Sequence, residues 1–276
     1  MYYAGKAATA IASKALRPYF SRRYGWARRE REAPRDDIVA GALASACIPV
    51  EAFTVRRERF VRWIREAQYS ALAYVVNRVE KQLEHFVSIE LLALPARGTL
   101  IDAASCRSPF PELMRARGYR VVAQDLSYPA GLHGDRLGGD AAAMELPSAF
   151  ADGITLHCSF EHFEADADTR FVSTVGRILK PGARAVILPL YLSHTYTIET
   201  DPLVSRGKVP VDPGAQLVAG YGYANRFGRH YDAASLLARV LQPAERSGLN
   251  VTVVRVEHPD VKPAYLRFAL ILERPR

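Results

Sequence analysis

The apolar residues of this chain change their spacing near residue 98. Between about Glu58 and Leu92 they recur every three or four positions, as at Phe60, Ile64, Leu83, Val87 and Leu91. This stripe predicts one amphipathic helix, or two helices with a bend between them. Pro95 and Gly98 end the zone, so residues 1–95 are predicted to form an N-terminal helical extension or lid.

From residue 99 to residue 192, short apolar runs alternate with helical stretches. The segments TLIDAA, YRVVAQDL, DGITLHCSF and ARAVILPLYL are typical of strands, and PELMRARG and DADTRFVSTVGRIL are typical of helices. This order predicts an α/β fold with a doubly wound, mostly parallel sheet. Such sheets bind ligands beyond the carboxyl ends of their strands. The residues after Ala103, Leu126, Leu156 and Leu190 are therefore the first candidates for a site.

The last part of the chain begins with an irregular stretch that is rich in proline, glycine and tyrosine, residues 193–231. A stretch of this length is usually a lid or a binding loop, and we interpret it as an insertion in a domain that spans residues 96–276. A helix is predicted over about 233–247. Two closing strands, about 251–256 and 265–272, are predicted to form an antiparallel pair at the edge of the sheet.

Composition limits the classes of protein. No apolar run reaches the 18 or so residues that a membrane span needs, and the first 20 residues lack the features of a signal peptide. Cys47, Cys106 and Cys158 form no C-x-x-C pair, which excludes a disulfide framework or a cysteine zinc site and favours a cytoplasmic location. The net charge is +8, and residues 1–95 hold 16 lysines and arginines against 10 acidic residues. This excess suits an anionic partner, although acidic residues among the arginines also fit a solvated surface.

Five landmarks occur in a characteristic order. An aspartate follows the strand in LIDAASCRSPF and another follows the strand in YRVVAQDLS; GGDAAAMELP, DGITLHCSFEHF and RILKPGARAVILPL come after them. With these landmarks, the chain resembles the class I S-adenosylmethionine-dependent methyltransferases over about residues 80–275. The resemblance implies a Rossmann-like, seven-stranded sheet and S-adenosylmethionine as the methyl donor.

The resemblance also implies a set of cofactor-binding residues. An ionised carboxylate can accept both hydroxyls of a ribose, and Asp125, next to Leu126, has the position for this role; a turn or helix cap is the alternative. Asp102 is expected to organise the first loop and the amino group of the cofactor, and Asp140 and Ala141 are expected at the adenine edge. His157 is either part of the cleft or a packing residue.

The first loop departs from the family pattern, because it contains no glycine. It reads Asp102-Ala-Ala-Ser-Cys-Arg-Ser-Pro109, whereas the family has a glycine-rich loop that lets the backbone approach the ligand. The small residues are expected to allow that approach, with Ala104, Ser105 and Ser108 in contact with the cofactor. A non-catalytic binding or interaction protein of this fold stays an alternative.

Candidate catalytic residues follow the predicted strand that ends at His157. Glu161 and His162 resemble a Glu-His pair that contributes to a divalent-metal site in ubiquinone-type O-methyltransferases, so His162 is predicted to be a general base or, with Glu161, a ligand of Mg²⁺. A histidine at a helix start is the alternative. His194, which follows the next strand, is a second candidate base.

The acceptor is predicted to be a small molecule or a saccharide. Tyrosine and arginine side chains suit a polar acceptor, and we expect contacts from Tyr191, Arg226, Arg229, His230 and Tyr231; a surface turn is the alternative for RFGRHYD. This segment, with SFEHF and PLYL, resembles bacterial O-methyltransferases of polysaccharide pathways, which implies methylation of a sugar hydroxyl.

Two other partners stay open. An RNA methyltransferase is less favoured, because the sequence shows no nucleic-acid-binding module. Residues 1–20 are expected to lie on a lipid surface or to form a homodimer through the N-terminal helices.

Overall fold

The structure is a computed structural model that describes residues 2–24, 35–67, 78–258, 261 and 265–276. The helices are α1 (Tyr2–Ala15), α2 (Arg17–Tyr24), α3 (Asp36–Ser45), α4 (Arg57–Ala67), α5 (Arg78–Leu92), α6 (Phe110–Ala116), α7 (Ala167–Ile178), α8 (Pro202–Ser205), α9 (Ala233–Leu236) and α10 (Gln242–Arg246). The strands are β1 (Val50–Thr54), β2 (Thr99–Ala103), β3 (Arg120–His133), β4 (Arg136–Gly138), β5 (Ala151–His157), β6 (Leu179–Leu188), β7 (Thr197–Thr200), β8 (Gln216–Ala219), β9 (Gly228–His230), β10 (Asn250–Glu257) and β11 (Phe268–Glu273). A π-helical stretch, Leu237–Leu241, lies between α9 and α10.

The chain forms two compact units. The larger unit contains residues 48–160, 167–190 and 237–276, and the smaller unit contains residues 1–47, 161–166 and 191–236. This division differs from the predicted boundary at residue 95, because β1 joins the sheet of the larger unit and α5 packs on β5 and β6.

The predicted α/β Rossmann-like fold is confirmed in the larger unit. Its described strands form an eight-stranded sheet in the order β1-β10-β11-β6-β5-β2-β3-β4. β2 pairs in parallel with both β3 and β5, and β11 is antiparallel to β6 and β10. The sheet is therefore mostly parallel and doubly wound, with the closing antiparallel pair that the alternation predicts.

The strand count and the sheet edge need correction. β1 pairs in parallel with β10, from Val50 opposite Val253 to Thr54 opposite Glu257. It adds an eighth strand to the seven predicted, and it occupies the edge position expected for β10. A five-residue strand inside a helical zone is a weak local signal, since its pairing partner lies about 200 residues away in the chain.

The predicted amphipathic stripe forms part of the core. Phe60 of α4 and Leu83 and Val87 of α5 are buried in one apolar cluster with Leu100 of β2. Val79 also belongs to the predicted stripe, but its side chain is 43% exposed. Residues 68–77 of the stripe lie outside the described residues.

The predicted irregular stretch at 193–231 also needs correction. In the smaller unit, β7 pairs in parallel with β8 and antiparallel with β9, which gives a three-stranded sheet. These strands have only three or four residues each. Strands this short, between prolines and glycines, contain too few alternating apolar and polar residues to be predicted from the sequence.

Candidate active site

The first loop after β2 takes the backbone conformation that glycine usually supplies. Ala104 and Cys106 have φ values of 51° and 48°, in the left-handed region that costs an L-residue free energy. Ala104 N–H donates to Gln124 Oε1 at 2.9 Å, and Ser105 N–H donates to the Gln124 carbonyl oxygen at 2.8 Å. The loop thus keeps a glycine-like path without glycine, because the neighbouring strand holds its amides.

Gln124 is a residue that sequence reasoning missed. Its side chain is buried on β3, and besides accepting from Ala104 it donates from Nε2 to the Gly139 carbonyl oxygen at 2.6 Å. It therefore links the loop after β2 to the loop after β4. A glutamine one position before a strand-end aspartate is the only signal in the sequence, and it resembles an ordinary strand residue.

Asp125 reaches the loop after β2. Its Oδ2 accepts from the Cys106 amide at 2.9 Å, and its Oδ1 accepts from the Ser127 amide at 2.9 Å and from the Ser127 hydroxyl at 2.6 Å. The carboxylate is half-buried, and Leu126 beside it is 77% exposed. A ribose diol would have to share or displace these hydrogen bonds, so the turn role that the sequence left open is present in this structure.

Asp102 lies at the carboxyl end of β2 and is buried. Its Oδ1 accepts from Thr155 Oγ1 at 2.9 Å and faces His157 Nδ1 at 3.2 Å. Its Oδ2 is buried and has no hydrogen-bond partner among the described residues. A buried carboxylate oxygen without a partner is costly, so this atom suits a cationic ligand group.

Both ring nitrogens of His157 lie close to polar side chains. Ser88 Oγ donates its only hydrogen to the His85 carbonyl oxygen at 3.0 Å, so it accepts from His157 Nε2, which is 3.0 Å away. Nδ1 faces the Asp102 carboxylate, where a hydrogen is also needed. These two contacts fix the orientation of the His157 ring between Ser88 and Asp102. Burial, the positive charge of His157 and that of Lys81 all lower the pKa of His85 well below its usual value.

Asp140 and Ala141 border a cavity of the larger unit. Asp140 Oδ1 caps the 3₁₀ turn Ala141–Ala143 by accepting from Ala142 N–H at 2.9 Å, and its Oδ2 is 3.2 Å from Arg170 Nη1. A cavity of about 220 Å³ lies beside it, with Gln124, Gly139 and Asp140 in its wall. Ala141 is buried beside the capped turn.

The remaining loop residues pack within the first loop. Ser105 is buried, and its Oγ lies 3.4 Å from the Tyr128 hydroxyl, which donates to the Cys106 carbonyl oxygen at 2.9 Å. Ser108 Oγ accepts from Phe110 N–H at 3.2 Å, at the start of α6. Both hydroxyls thus stabilise the loop.

In the smaller unit, Glu161 and His162 are close to each other. His162 Nδ1 donates to the Phe227 carbonyl oxygen at 2.5 Å, so in the neutral ring Nε2 carries the lone pair. Nε2 lies 3.6 Å from Glu161 Oε1, and the His162 side chain is 34% exposed. Glu161 is buried, and its Oε2 has no hydrogen-bond partner among the described residues. The arrangement suits an oriented general base whose protonated form faces a carboxylate.

The predicted acceptor wall is only partly exposed, because three of its five residues, Arg229, His230 and Tyr231, are buried. Arg229 is fully buried; its Nε donates to Asp212 at 2.8 Å, and Nη1 and Nη2 donate to the carbonyl oxygens of Phe163 and Ala165 at 2.5 and 2.9 Å. Tyr231 is 1% exposed. These side chains are directed into the core of the unit, because residues 227–231 run through β9 with both faces covered.

The other acceptor candidates have mixed surroundings. Arg226 is exposed and makes a two-point ion pair with Glu164, at 2.7 and 3.1 Å. His230 is buried, with Nε2 3.2 Å from Glu199 Oε2, and its ring contacts the half-buried Tyr191 edge to face at 5.3 Å. His194 is exposed.

The residues present do not fit a dedicated Mg²⁺ site. Among the described residues, no group of three or more histidine, cysteine, aspartate or glutamate side chains has the geometry to hold a metal ion. Glu161 and His162 offer two ligand atoms, whereas Mg²⁺ prefers six oxygen ligands. The predicted metal role of this pair is therefore not supported.

One segment of the larger unit matches a known family model. Residues 101–187, from β2 to β6, match the family model described as a methyltransferase domain. The match covers 87 of the 276 residues and agrees with the Rossmann-like sheet, and the methyl donor that it indicates is S-adenosylmethionine. Asp102 Oδ2, which has no hydrogen-bond partner among the described residues, fits the ammonium group of that cofactor. The cavity beside Asp140 has room for its adenine ring.

Two solved structures with a similar fold are distant from this chain in sequence. The 1,6-didemethyltoxoflavin-N1-methyltransferase of Burkholderia thailandensis, solved with 1,6-didemethyltoxoflavin and S-adenosylhomocysteine, has 14% identity and a TM-score of 0.49, over 91% of this chain and 95% of that chain. Streptomyces venezuelae DesVI has 12% identity and a TM-score of 0.48, over 81% and 100% of the two chains. No curated protein matches the sequence. These identities are too low for the acceptor of either enzyme to be carried over.

Proposed function

We propose that this chain is an O-methyltransferase that transfers a methyl group from S-adenosylmethionine to a hydroxyl of a sugar or another polar small molecule. The observation that carries the proposal is the fixed tautomer of His162. The Phe227 carbonyl holds the Nδ1 hydrogen, so Nε2 is available to accept a proton. A hydroxyl acceptor must lose a proton during methylation, whereas a neutral amine can attack without a base.

The larger unit supplies the cofactor-binding residues. When bound, S-adenosylmethionine supplies a methyl group on a cationic sulfur. Asp102 Oδ2 would hold its ammonium group, and Asp125 would accept its ribose hydroxyls in place of the Ser127 hydroxyl. Thr155 and His157 keep Asp102 oriented through its other oxygen.

The proposed general base is His162. Its Nε2 would accept the hydroxyl proton, and Glu161 Oε1, 3.6 Å from Nε2, would stabilise the imidazolium that forms. The ring of Tyr223 lies 6.2 Å from that of His162, and aromatic rings with hydroxyl groups suit a polyhydroxylated acceptor. Tyr191 and Arg226 remain proposed acceptor contacts, because each keeps some exposed surface.

Calorimetric titration with S-adenosylhomocysteine tests the cofactor site first. We expect the parent chain to bind and Asp102→Asn to bind at least tenfold more weakly, since a buried anion no longer faces the ammonium group. Absence of binding by the parent chain would remove the enzyme proposal.

A product assay tests the reaction. The chain is incubated with S-adenosylmethionine and monosaccharides, oligosaccharides or phenols, and methylated product is measured by mass spectrometry. His162→Gln should lower turnover about 10²–10⁴-fold with unchanged affinity for S-adenosylhomocysteine, and the exposed control His133→Gln should leave both unchanged. Equal turnover of His162→Gln and the parent, or loss of turnover in chelator, would contradict this mechanism.

A further inference from the structure

The exposed surface of α1 and α2 carries large apolar side chains beside the exposed Lys14, Arg22 and Arg23. Ile11 is 71% exposed, Tyr19 is 60% exposed and Leu16, between the two helices, is 43% exposed. Ala7, Ala8 and Ala15 are exposed as well. Large apolar side chains with this much exposure are few among the described residues, and three of them lie within nine positions of the chain.

The inner face of the same helices is largely polar. Ser13 is fully buried, and its Oγ donates to Asp201 Oδ1. Lys6 Nζ donates to Asn225 Oδ1 at 2.8 Å, and Ser21 Oγ lies 2.9 Å from the Tyr221 hydroxyl. A helix on a water-exposed surface has the opposite arrangement, with its apolar stripe against the protein. Phe20 is the buried apolar exception. The apolar face of α1 and α2 is thus placed for contact with a partner outside the described structure.

The positive charge of α1 and α2 favours an anionic partner. Residues 1–24 contain five lysines and arginines and no aspartate or glutamate. In a symmetric dimer through this face, two such segments would meet and repel each other. An anionic lipid surface combines negative charge with an apolar layer beneath it, and basic amphipathic helices bind such surfaces.

We propose that α1 and α2 dock this chain on an anionic lipid bilayer, with Ile11, Leu16 and Tyr19 in the headgroup layer and Arg22 near the phosphates. The helices lie on the membrane; among the described residues, no helix has the length and apolar character to cross one. This proposal does not depend on the methyl-transfer reaction.

Vesicle sedimentation tests the docking. The full chain is mixed with sucrose-loaded vesicles of phosphatidylcholine alone or of phosphatidylcholine with phosphatidylserine, at low and high salt. We expect the chain to pellet with the phosphatidylserine vesicles only, and less at high salt because salt screens the attraction. A chain that stays in the supernatant under all conditions would overturn the proposal.

Variants separate insertion from simple charge attraction. Ile11→Asp should weaken vesicle binding about tenfold or more, because it removes an apolar insertion, and Arg22→Gln should weaken it about fivefold. Val211→Asp is the matched control: Val211 is 45% exposed in the same unit, and this change should leave binding intact. Thermal unfolding of each variant checks that it folds.

Two results would refute the proposal even if the chain pellets. Binding of Ile11→Asp equal to that of the parent would show that the apolar face is not inserted. A dimer in light scattering that Ile11→Asp converts to monomer, without any effect on sedimentation, would assign the face to a second copy of the chain.

Discussion

The glycine-free loop after β2 allows a direct test of the backbone geometry at the candidate cofactor site. Ala104 has a φ of 51°, a conformation that costs an L-residue roughly 1–2 kcal/mol. Glycine avoids this cost but loses roughly 0.5–1 kcal/mol more conformational free energy on folding than alanine. The balance predicts that Ala104→Gly stabilises the protein by roughly 0.5–1 kcal/mol, because the methyl group is lost from a strained position.

Thermal unfolding followed by circular dichroism measures this effect. For a chain of this size, the expected rise in Tm is about 1–4 °C. The control is Ala103→Gly, one residue earlier, at a buried strand position without positive φ. It should lower Tm, since a strand glycine costs entropy and a buried methyl group is lost. If Ala104→Gly lowered Tm as much as Ala103→Gly does, the left-handed geometry of the loop would be wrong.

Three further predictions concern buried polar groups. Gln124→Leu should lower the free energy of unfolding in urea by about 2–4 kcal/mol and weaken S-adenosylhomocysteine binding, because the Ala104 amide and the Gly139 carbonyl both lose their partner; an unchanged protein would contradict its bridging role. Arg229→Met should cost about 3–5 kcal/mol by leaving Asp212 as an unpaired buried anion, and adding Asp212→Asn should restore part of that loss in the same assay. The pKa of His85 is lowered by burial and by the charges of His157 and Lys81, so unfolding takes up a proton below about pH 6.5 and stability should fall as pH decreases, with a contribution of up to about 1.4 kcal/mol per pH unit. His85→Phe should remove that contribution to the slope between pH 7.5 and 5.5, and an identical slope in parent and variant would refute it.

Much of the larger unit was predictable from local patterns. Short apolar runs and periodic stripes, each defined by a few residues, predict most of its elements. These are the strands β2, β5, β6, β10 and β11 and the helices α6 and α7. The order of these elements then implies a parallel sheet, in which Asp102 and His157 lie at neighbouring strand ends. Asp125 was also predicted at a strand end, but it lies within β3, which continues to His133.

The candidate site was predictable only in part. Residue type and strand position indicate the aspartates, but not that Asp125 already accepts a hydrogen bond from Ser127, or that Asp102 lies 3.2 Å from His157. They also suggest Arg229 as an acceptor contact, whereas its side chain fills the core of the smaller unit. An arginine beside tyrosines has the same local pattern whether it faces a ligand or a buried carboxylate.

Hydrophobic periodicity along the chain predicts the Rossmann-like α/β fold, because such periodicity depends on neighbours within one helix turn or one strand. The pairing of β1 with β10, the small sheet of β7, β8 and β9, the bridge made by Gln124 and the outward apolar face of α1 depend on residues that are distant in sequence. Such contacts leave no periodic trace, so only the folded chain shows which polar groups are satisfied, which are left without a partner and which apolar surface stays exposed.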